Sequence, residues 1–389
     1  MRIAFITHKF PHLANTFILN EITQVLRMGH EVTVYSLDRS DDKVLNGAVA
    51  EYDLPDKTRY FLDYVVEDPA NRARFRAHSA DRLERYLHAF PQIGEELQNS
   101  GTQLIHAAFG NRPCTAALAL AQLTGLPLTF ESHARDLFVD FRLAQEKIAR
   151  AERVFTISDY NKRYLVERHG CPEEKLVVRR VSIVEEFCDS ILGAPKEEDL
   201  LVTVARLHPI KGIHHALQAL DLLRENHGNV RLHIIGAGEL AGELEEEVAR
   251  LGLSGSVVFM GPLSNEEALR IVNRAAAFVL PSVIAENGDR DGIPTALIEA
   301  MYLRTPAVST TVSGIPELID DGEDGFLVEP GDVRGLADKI GLLLEHPERR
   351  AEMGRKARDK VRSEFDAARN TKKVIDAWAE IVAPQRRPG

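Results

Sequence analysis

The sequence predicts an α/β protein of two domains, each built on a parallel β-sheet covered by helices. A chain of 389 residues exceeds the length at which a single hydrophobic core usually stops growing. Short β-branched or aromatic runs alternate with helical patterns from one end to the other, as in parallel sheets. The segment 189–199 (DSILGAPKEED) mixes glycine, proline and charge without periodicity, which is typical of a linker. We therefore expect domains at 1–188 and 200–365.

The candidate strands are short apolar runs separated by helical patterns. In the first domain they are Arg2 to Thr7, Glu31 to Tyr35, Leu104 to Ala107, Leu128 to Glu131, Arg153 to Ile157 and Leu176 to Arg180. In the second they are Leu200 to Ala205, Arg231 to Ile235, Val257 to Met260, Ala277 to Leu280, Ala307 to Ser309 and Gly325 to Val328. Apolar residues then recur at helical spacing up to Ile381. This pattern predicts a C-terminal helix at 366–385 that packs back on the first domain.

The charge balance argues against nucleic acid as a partner. The formal net charge is -11, and the acidic excess lies mainly in the second half of the chain. A nucleic-acid binder needs a basic surface to displace counterions from the phosphates. Apolar residues make up 44% and charged residues 28% of the chain, a mixture that indicates an ordinary globular protein.

Cysteine usage and hydropathy indicate a cytoplasmic protein. Cys114, Cys171 and Cys188 match neither a disulfide framework nor a zinc site, so we interpret them as reduced, mostly buried thiols. No apolar run approaches the roughly 20 residues of a membrane-spanning helix, and polar residues interrupt the N-terminal segment. The arginine-rich amphipathic stretch 71–90 fits either a solvated helix face or a peripheral contact with the inner membrane face.

Two basic residues follow the first predicted strand of the second domain. Arg206 and Lys211 lie in the loop after this strand, and open α/β sheets bind ligands at the carboxyl ends of their strands. Cations at this position would neutralise the charge that builds up on a diphosphate leaving group. The alternative interpretation is that Arg206 and Lys211 are only two solvated charges near a turn, since these would show the same spacing in the sequence.

Glycines follow the next predicted strand. Gly236, Gly238 and Ala241 form G-x-G-x-x-A, as in a dinucleotide fingerprint, so an NAD-dependent oxidoreductase is one alternative function. The strand about 20 residues further on ends at Met260 and Gly261, without the acid that such a site uses for a ribose hydroxyl. Glycines at a strand end also allow the chain to turn and to approach a phosphate.

The segment 281–304 leads from a predicted strand through a polar loop into a helix. Gly292, Ile293, Pro294 and Thr295 form the start of this helix, with proline in its favoured first position. Backbone amides at a helix start have no partner within the helix, so they are available to an anion or a sugar hydroxyl.

Acidic residues on both sides of this helix start are candidate sugar ligands. Asp291 and Glu299 would accept hydrogen bonds from sugar and ribose hydroxyls, whereas a helix cap and a surface glutamate are their alternative roles. Asp289 and Asp291 also form D-x-D, a pattern by which one class of enzymes that use nucleotide sugars holds a divalent metal through the nucleotide phosphates. Because Arg206 and Lys211 already offer positive charge, we expect no metal ion and no cofactor.

Two histidines of the first domain follow predicted strands. His106 and His133 are both expected to point into a cleft between the domains. A histidine at such a position either accepts a proton or donates a hydrogen bond to a hydroxyl, and a purely structural role is the alternative.

Together these residues resemble glycosyltransferase family 4, a family of retaining enzymes with the GT-B fold of two Rossmann-like domains facing each other across a cleft. The resemblance covers nearly the whole chain. It rests on VARLHPIKGIHHALQAL (the diphosphate loop), IIGAGEL (the glycine turn), VFMGPLSNEEALRIVNRAAAFVLPS, DGIPTALIEAM (the acidic motif) and SGIPELIDDGEDGFLVEPGD. In the first domain, FPHLANTFILNEI, HAAFG and FESHARDLF resemble bacterial enzymes that build exopolysaccharide, capsule or colanic-acid-type polymers.

The resemblance implies a role for each candidate residue. Arg206 and Lys211 would neutralise the donor diphosphate, Glu299 would hold the donor ribose, and Asp291 would grip the transferred sugar. His133 would line the reaction centre. Asp291 is one methylene shorter than the glutamate usual in the family, and the loop after the first strand lacks the family's glycine pair. The implied donor-binding residues are Gly236, Gly238, Gly261, Gly292, Ile293, Pro294 and Thr295, and the implied acceptor-side residues are Asn15, Thr16 and His106.

The implied reaction moves a sugar from a nucleotide diphosphate to a hydroxyl of a glycan or lipid-linked oligosaccharide with retention. The leaving phosphate itself would help to take the proton of the acceptor, without a side-chain nucleophile or a metal. A sugar-nucleotide epimerase of the same fold, the oxidoreductase and a catalytically silent binding subunit are the alternatives. Product analysis separates transfer from isomerisation.

Overall fold

The computed structural model describes residues 1–12, 16–40, 47–64, 83–183 and 185–383. The chain forms two compact units. Unit 1 comprises Met1–Ile157, Asn161–Arg180 and Ala367–Gly389, and unit 2 comprises Ser158–Tyr160 and Val181–Asp366. Each unit contains its own parallel sheet, which confirms the predicted fold class.

The sheet of unit 1 has seven parallel strands. They lie across the sheet in the order β3-β2-β1-β4-β5-β6-β7, so that the direction of winding reverses between β1 and β4. This is the strand order of a Rossmann fold. The strands are β1 (Arg2–Phe10), β2 (Glu31–Arg39), β3 (Thr58–Tyr60), β4 (Leu104–Ala107), β5 (Leu128–Ser132), β6 (Ala151–Thr156) and β7 (Leu176–Val178).

Helices connect these strands and cover both faces of the sheet. Their apolar sides pack on apolar residues of the strands in two hydrophobic clusters, as expected of a parallel sheet buried on both faces. These helices are α1 (Thr16–Arg27), α2 (Gly47–Glu51), α3 (Phe90–Asn99), α4 (Arg112–Thr124), α5 (Ala134–Phe138), α6 (Ala144–Arg150) and α7 (Asp159–His169).

The sheet of unit 2 has six strands and repeats the same plan. Its order is β10-β9-β8-β11-β12-β13, and the winding reverses between β8 and β11. The strands are β8 (Glu197–Val204), β9 (Arg231–Ile235), β10 (Val257–Gly261), β11 (Ala275–Leu280), β12 (Ala307–Thr310) and β13 (Gly325–Val328).

Helix boundaries in unit 2 follow from local sequence. Ser264 and Glu267 form a capping box, in which the Ser264 hydroxyl accepts from the Glu267 amide at 3.3 Å and the Glu267 carboxylate accepts from the Ser264 amide at 3.0 Å. The helices are α8 (Glu185–Ile191), α9 (Ile213–Leu223), α10 (Ala241–Arg250), α11 (Asn265–Arg274), α12 (Thr295–Tyr302), α13 (Ile315–Leu318), α14 (Val333–Glu345) and α15 (Pro347–Glu364).

The final helix, α16 (Ala367–Val382), belongs to unit 1. Val374 and Trp378 lie on its buried face in the same hydrophobic cluster as Phe5 and Phe155 of the sheet. The Trp378 indole donates a hydrogen bond to the Thr129 hydroxyl of β5 at 3.1 Å. The helix thus fills one face of the first sheet although it is the last element of the chain.

The segment 189–199 differs from the expected linker. Its first residues end α8 and its last residues open β8, which begins at Glu197 rather than Leu200. Glu197 is held in the strand by Arg231 of β9, whose guanidinium donates to it at 2.9 Å. The chain instead passes between the units at 157–158, 160–161, 180–181 and 366–367. The composition indicates a loop here, but pairing of Glu197 with Ala275 of β11 extends the strand.

The short strand β3 was not predicted, because three residues carry too little periodicity to be recognised. Cys114, Cys171 and Cys188 are buried and form no disulfide. No helix among the described residues combines the length and the apolar character needed to cross a membrane. Most of the arginine-rich stretch 71–90 lies outside the described residues.

Candidate functional site

The reversal of strand order in unit 2 brings two predicted site segments side by side. The loop 205–212 follows β8 and the loop 281–294 follows β11, and these two strands are neighbours in the sheet. In open α/β sheets the crevice at such a reversal binds the ligand. The tertiary structure therefore places both segments at the position expected of a ligand site.

Backbone contacts hold the two loops against each other. The Val283 amide donates to the Ile210 carbonyl at 2.9 Å. Gly212 has a φ of +61°, and a Cβ added to it would lie 1.9 Å from the Pro281 carbonyl oxygen. Only glycine fits there, which explains the glycine that follows Lys211 in the sequence.

Lys211 and Asp291 form an ion pair across these loops. The Lys211 Nζ lies 2.6 Å from Asp291 Oδ1, and the Ser282 hydroxyl donates to Asp291 Oδ2 at 2.7 Å. The two charged side chains are only 12% and 10% exposed. Both carboxylate oxygens of Asp291 are thus already oriented by hydrogen bonds. Ser282 was missed in the sequence, where it is an ordinary serine after a strand.

Arg206 is the second predicted cation of this loop. Its side chain is exposed, and it forms no hydrogen bond or ion pair with the described residues. An arginine in this state retains its five N–H donors for a ligand. Of the two predicted cations, Lys211 is therefore held in an ion pair, whereas Arg206 is available to a ligand.

The glycine turn after β9 is shaped by the neighbouring loop. A Cβ on Gly236 would lie 1.9 Å from the Ala205 carbonyl oxygen, and one on Gly238 would lie 2.3 Å from that of Leu207. The Leu207 amide also donates to the Ala237 carbonyl at 3.0 Å. These glycines allow two backbones to pack closely. The Gly236 amide donates to the carbonyl of Gly261, which ends β10, at 2.9 Å.

Gly236→Ala should destabilise the protein by about 2 to 4 kcal/mol, because it combines an unfavourable φ of +138° with a clash against backbone. Urea unfolding would measure the change. Gly242→Ala is the matched control, since a Cβ on Gly242 in α10 meets no atom within 4 Å. Equal stability of the two variants would contradict this account of the turn.

The start of α12 provides backbone donors beside Asp291. The helix begins at Thr295 with Pro294 as its N-cap, one residue later than predicted. The amides of Gly292, Ile293 and Thr295 donate no hydrogen bond within the described part of the chain. Such amides at a helix start suit an anion or a hydroxyl oxygen.

Glu299 is half-buried in the second turn of α12. Asn265, the first residue of α11, donates from Nδ2 to Glu299 Oε1 at 3.1 Å. Burial raises the pKa of Glu299 to about 7, although the Asn265 hydrogen bond opposes the shift. The contact of Asn265 with Glu299 was not predicted from the sequence, because an asparagine at a helix start is typical of a capping residue. Glu299 therefore carries a proton part of the time at neutral pH.

Asp289 is also buried, and its Oδ1 accepts from the Arg290 amide at 3.0 Å. Asp291 points its oxygens at Lys211 and Ser282. The D-x-D pattern therefore consists of two carboxylates that already have protein partners. No cluster of three metal-ligating side chains forms at this loop among the described residues.

In unit 1, His133 lies at the carboxyl end of β5 and is 8% exposed. Its ring packs against Phe17 and Phe109, at centroid distances of 4.7 and 5.1 Å. Burial, followed by the charge of Arg179, lowers the pKa of His133 to about 3. The imidazole is therefore neutral near neutral pH.

His106 does not face an acceptor, contrary to the expectation. It lies within β4, is 0% exposed, and packs against Phe5 and Trp378 at centroid distances of 4.9 and 5.1 Å. Strand alternation turns its side chain into the core. Asn15, also expected on the acceptor side, lies outside the described residues, and Thr16 begins α1.

A buried charge cluster was missed in the sequence. Arg179, just after β7, contacts Glu131 of β5 at 2.6 Å and Glu21 of α1. Both glutamates and the arginine are almost fully buried. The available signal was a glutamate at the end of a predicted strand. His106 and the two carboxylates lie within metal-ligating reach of one another, but the Arg179 guanidinium already supplies the positive charge, and we assign no metal to them.

Both halves of the chain match known protein families. The pattern of Glycosyl transferases group 1 matches residues 185–360, and that of Glycosyltransferase Family 4 matches residues 14–180. The putative colanic acid biosynthesis glycosyltransferase WcaL of Salmonella typhimurium is 30% identical, with 94% of this chain and 96% of the relative covered. The amylovoran biosynthesis glycosyltransferase AmsK of Erwinia amylovora is 29% identical, with the same coverage.

Solved structures share the fold. A glycosyltransferase of Rickettsia africae superposes with a TM-score of 0.74 at 16% identity, with 99% of each chain covered. HepE of Anabaena, solved in complex with UDP, gives a TM-score of 0.75 at 17% identity, with 98% of this chain and 100% of that chain covered. At this level of identity the likeness concerns the fold.

Proposed function

Since this chain belongs to glycosyltransferase family 4, we propose that it transfers a sugar from a nucleotide diphosphate to a hydroxyl of a glycan or lipid-linked oligosaccharide. The names of its relatives in colanic acid and amylovoran biosynthesis support a role in building a bacterial exopolysaccharide. The observation that carries the proposal is the Lys211–Asp291 pair beside the available amides of α12. None of the relatives described above is an epimerase or an oxidoreductase.

The donor diphosphate would bind Lys211 and Arg206. As the glycosidic bond breaks, negative charge grows on the departing phosphate, and preorganised cations stabilise that charge more than they stabilise the substrate. Lys211 is oriented by Asp291 before a donor arrives, so little side-chain freedom is lost on binding. Arg206 is exposed and would close on the diphosphate.

The sugar and ribose hydroxyls would bind the two carboxylates. Asp291 accepts from Lys211 and Ser282 in this structure, and each of its oxygens has a further lone pair for a sugar hydroxyl. Glu299 would accept hydrogen bonds from the ribose hydroxyls of the donor. A ribose diol favours the ionised carboxylate, so donor binding would lower the pKa of Glu299 from its value of about 7.

We further propose that transfer retains the anomeric configuration and needs no metal. The bond from the anomeric carbon to the phosphate oxygen breaks, the bond to the acceptor oxygen forms on the same face, and the acceptor proton passes to the departing phosphate. Lys211 and Arg206 supply the charge that a metal provides elsewhere. His133 of unit 1 would then serve as a hydrogen-bonding group rather than a nucleophile.

The test is product analysis with a panel of UDP-, GDP-, ADP- and dTDP-sugars, starting with UDP-glucose, and a lipid-linked acceptor. We expect a free nucleoside diphosphate and a new α-glycoside from an α-linked donor, with rates unchanged by EDTA. An isomerised donor without a glycoside would indicate an epimerase, and loss of turnover in EDTA would refute metal independence. Donor binding without hydrolysis or transfer would favour a silent binding subunit.

A further inference from the structure

A cavity of about 400 Å³ lies at the amino edge of the unit 2 sheet, a volume typical of small-molecule sites. Three of its lining residues come just before neighbouring strands: Lys196 before β8, Asn273 before β11 and Arg304 before β12. The donor loops 205–212 and 281–294 follow the opposite ends of β8 and β11. Because β11 is six residues long, the two edges lie about 20 Å apart. The cavity is therefore separate from the candidate donor site.

Positive side chains dominate the lining of this cavity. Lys196, Arg304, Arg350 and Arg355 line it, and Glu198 is the acidic side chain among the lining residues. Arg350 is almost fully buried, and its guanidinium pairs with Glu198, so these two charges balance. The other three cations form no ion pair with any described residue. In a protein of net charge -11, such a local excess of positive charge favours an anion.

Lys196 is half-buried with one hydrogen-bond partner. Its Nζ donates to the Thr305 hydroxyl at 2.6 Å, and that hydroxyl donates to the Val272 carbonyl at 2.8 Å. An ammonium has three donors, and the other two have no partner within the described part of the chain. Burial, followed by the charge of Arg350, lowers the pKa of Lys196 to about 7. A bound anion would satisfy these donors and stabilise the charged ammonium.

Arg304 occupies a backbone position that favours glycine. Its amide donates to the Met301 carbonyl at 3.1 Å. The Thr305 amide donates to the Ala300 carbonyl at 3.0 Å, which completes a Schellman motif at the end of α12. Arg304 has a φ of +56°, where any side chain other than glycine is strained. Its guanidinium is exposed and makes no polar contact with the described residues, so no such contact offsets the strain.

The start of α15 forms another wall of the cavity. Pro347 and Ala351 of its first turns line the cavity, and the amino end of a helix carries a partial positive charge that favours anions. Arg355 lies two turns further along the same helix and is exposed. Leu192 and Leu303 add apolar surface. The lining thus combines cations for an anionic group with apolar contacts for a carbon skeleton.

We propose that this cavity binds a small phosphate monoester, such as a sugar phosphate. Lys196 and Arg304 donate to the phosphate oxygens, and Arg355 approaches them from the solvent side. A phosphate dianion matches several cations, whereas a single carboxylate leaves most of their charge unbalanced. The site belongs to unit 2 alone. Its existence does not depend on the proposed transfer reaction, so either proposal can fail without the other.

Calorimetric titration of the full chain with glucose 1-phosphate tests the proposal. We expect saturable one-to-one binding, and none with neutral glucose. Inorganic phosphate should bind more weakly, because it lacks the carbon skeleton that contacts Leu192 and Leu303. Equal or tighter binding of inorganic phosphate would reassign the cavity to free phosphate. Equal binding of glucose would show that the cations play no part and would overturn the proposal.

Variants locate the binding. Lys196→Met and Arg304→Gly should each weaken the affinity for glucose 1-phosphate by roughly 10- to 150-fold, the usual effect of losing a charged donor. Arg304→Gly should also retain or raise Tm, because glycine relieves the backbone strain. Its loss of binding therefore cannot come from unfolding. Arg355→Gln, at an exposed position, should lose about fivefold.

Two controls complete the experiment. Lys356→Gln removes the same charge one residue along α15, where the ammonium pairs with Glu323, and it should leave the affinity unchanged. The double variant Lys211→Met/Asp291→Asn alters the donor loops and should also bind with wild-type affinity. Loss of binding in this double variant, or wild-type affinity in both Lys196→Met and Arg304→Gly, would place the anion elsewhere and overturn the proposal.

Discussion

Replacing Lys211 by methionine should lower kcat/KM for transfer by about 100- to 1,000-fold, the usual cost of removing one preorganised group that stabilises developing charge. The ammonium lies in the loop after β8, 2.6 Å from Asp291 Oδ1, and methionine keeps most of the side-chain volume. The loss should appear mainly in kcat, because charge on the phosphate grows as the bond breaks. Initial rates at saturating donor, with donor affinity from calorimetry, would measure it.

The controls separate chemistry from folding. Lys211→Met leaves Asp291 buried with Ser282 as its partner, and breaking a buried pair costs about 3 to 5 kcal/mol of stability. Adding Asp291→Asn removes the unpaired charge, so the double variant should regain stability without regaining activity. Lys372→Met, in an exposed pair with Asp376, should change neither. Wild-type turnover of a folded Lys211→Met variant would refute the donor-site assignment.

Glu299→Gln should weaken donor binding by about 1.5 to 3 kcal/mol, or roughly 10- to 150-fold, because hydrogen bonds to a charged acceptor are the strong ones. The glutamine keeps the size of the side chain and one acceptor oxygen but loses the charge. The change should appear in the KM for the donor, since ribose contacts persist from ground state to transition state. Calorimetric titration with the nucleoside diphosphate gives an independent value.

The pH dependence of Glu299 is a second signature. Its pKa of about 7 means that donor affinity should fall as pH decreases below 7, because the protonated carboxyl is the poorer acceptor. Glu299 affects folding stability in the opposite direction. Because burial raises its pKa in the folded state, its contribution to the free energy of unfolding is complete below the pKa of the unfolded chain and is lost as pH rises through 7. Asn265→Ala should raise the midpoint of the affinity profile, since the Asn265 hydrogen bond lowers this pKa. A flat affinity profile in wild type would contradict the ribose assignment.

Much of the fold and part of the site follow from the sequence by local rules. Alternating apolar runs and helical patterns indicate parallel sheets, and residues after strand ends indicate where a ligand binds. Lys211 and Asp291 both lie in loops that follow predicted strands, and the structure brings them into contact. Glu299 and the amides that follow Asp291 were chosen from the pattern of one loop and one helix, which involves only neighbouring residues.

Contacts between distant parts of the chain could not be predicted in this way. His106 follows the same sequence rule as His133, yet it is buried among aromatic rings, partly by α16. Glu131 and Arg179 are 48 residues apart, and each alone resembles an ordinary surface charge. Their pairing depends on the order of β5, β6 and β7 in the sheet.

The sequence by itself therefore determined the two-sheet architecture, the family resemblance and the loops that carry the donor candidates, because periodicity and strand-end position are local properties. Only the tertiary structure decided which charged groups lose their water and which partners they meet. Desolvation and pairing depend on how strands are ordered and on where the last helix packs. These two effects raise the pKa values of Glu131 and Glu299 and lower that of His133.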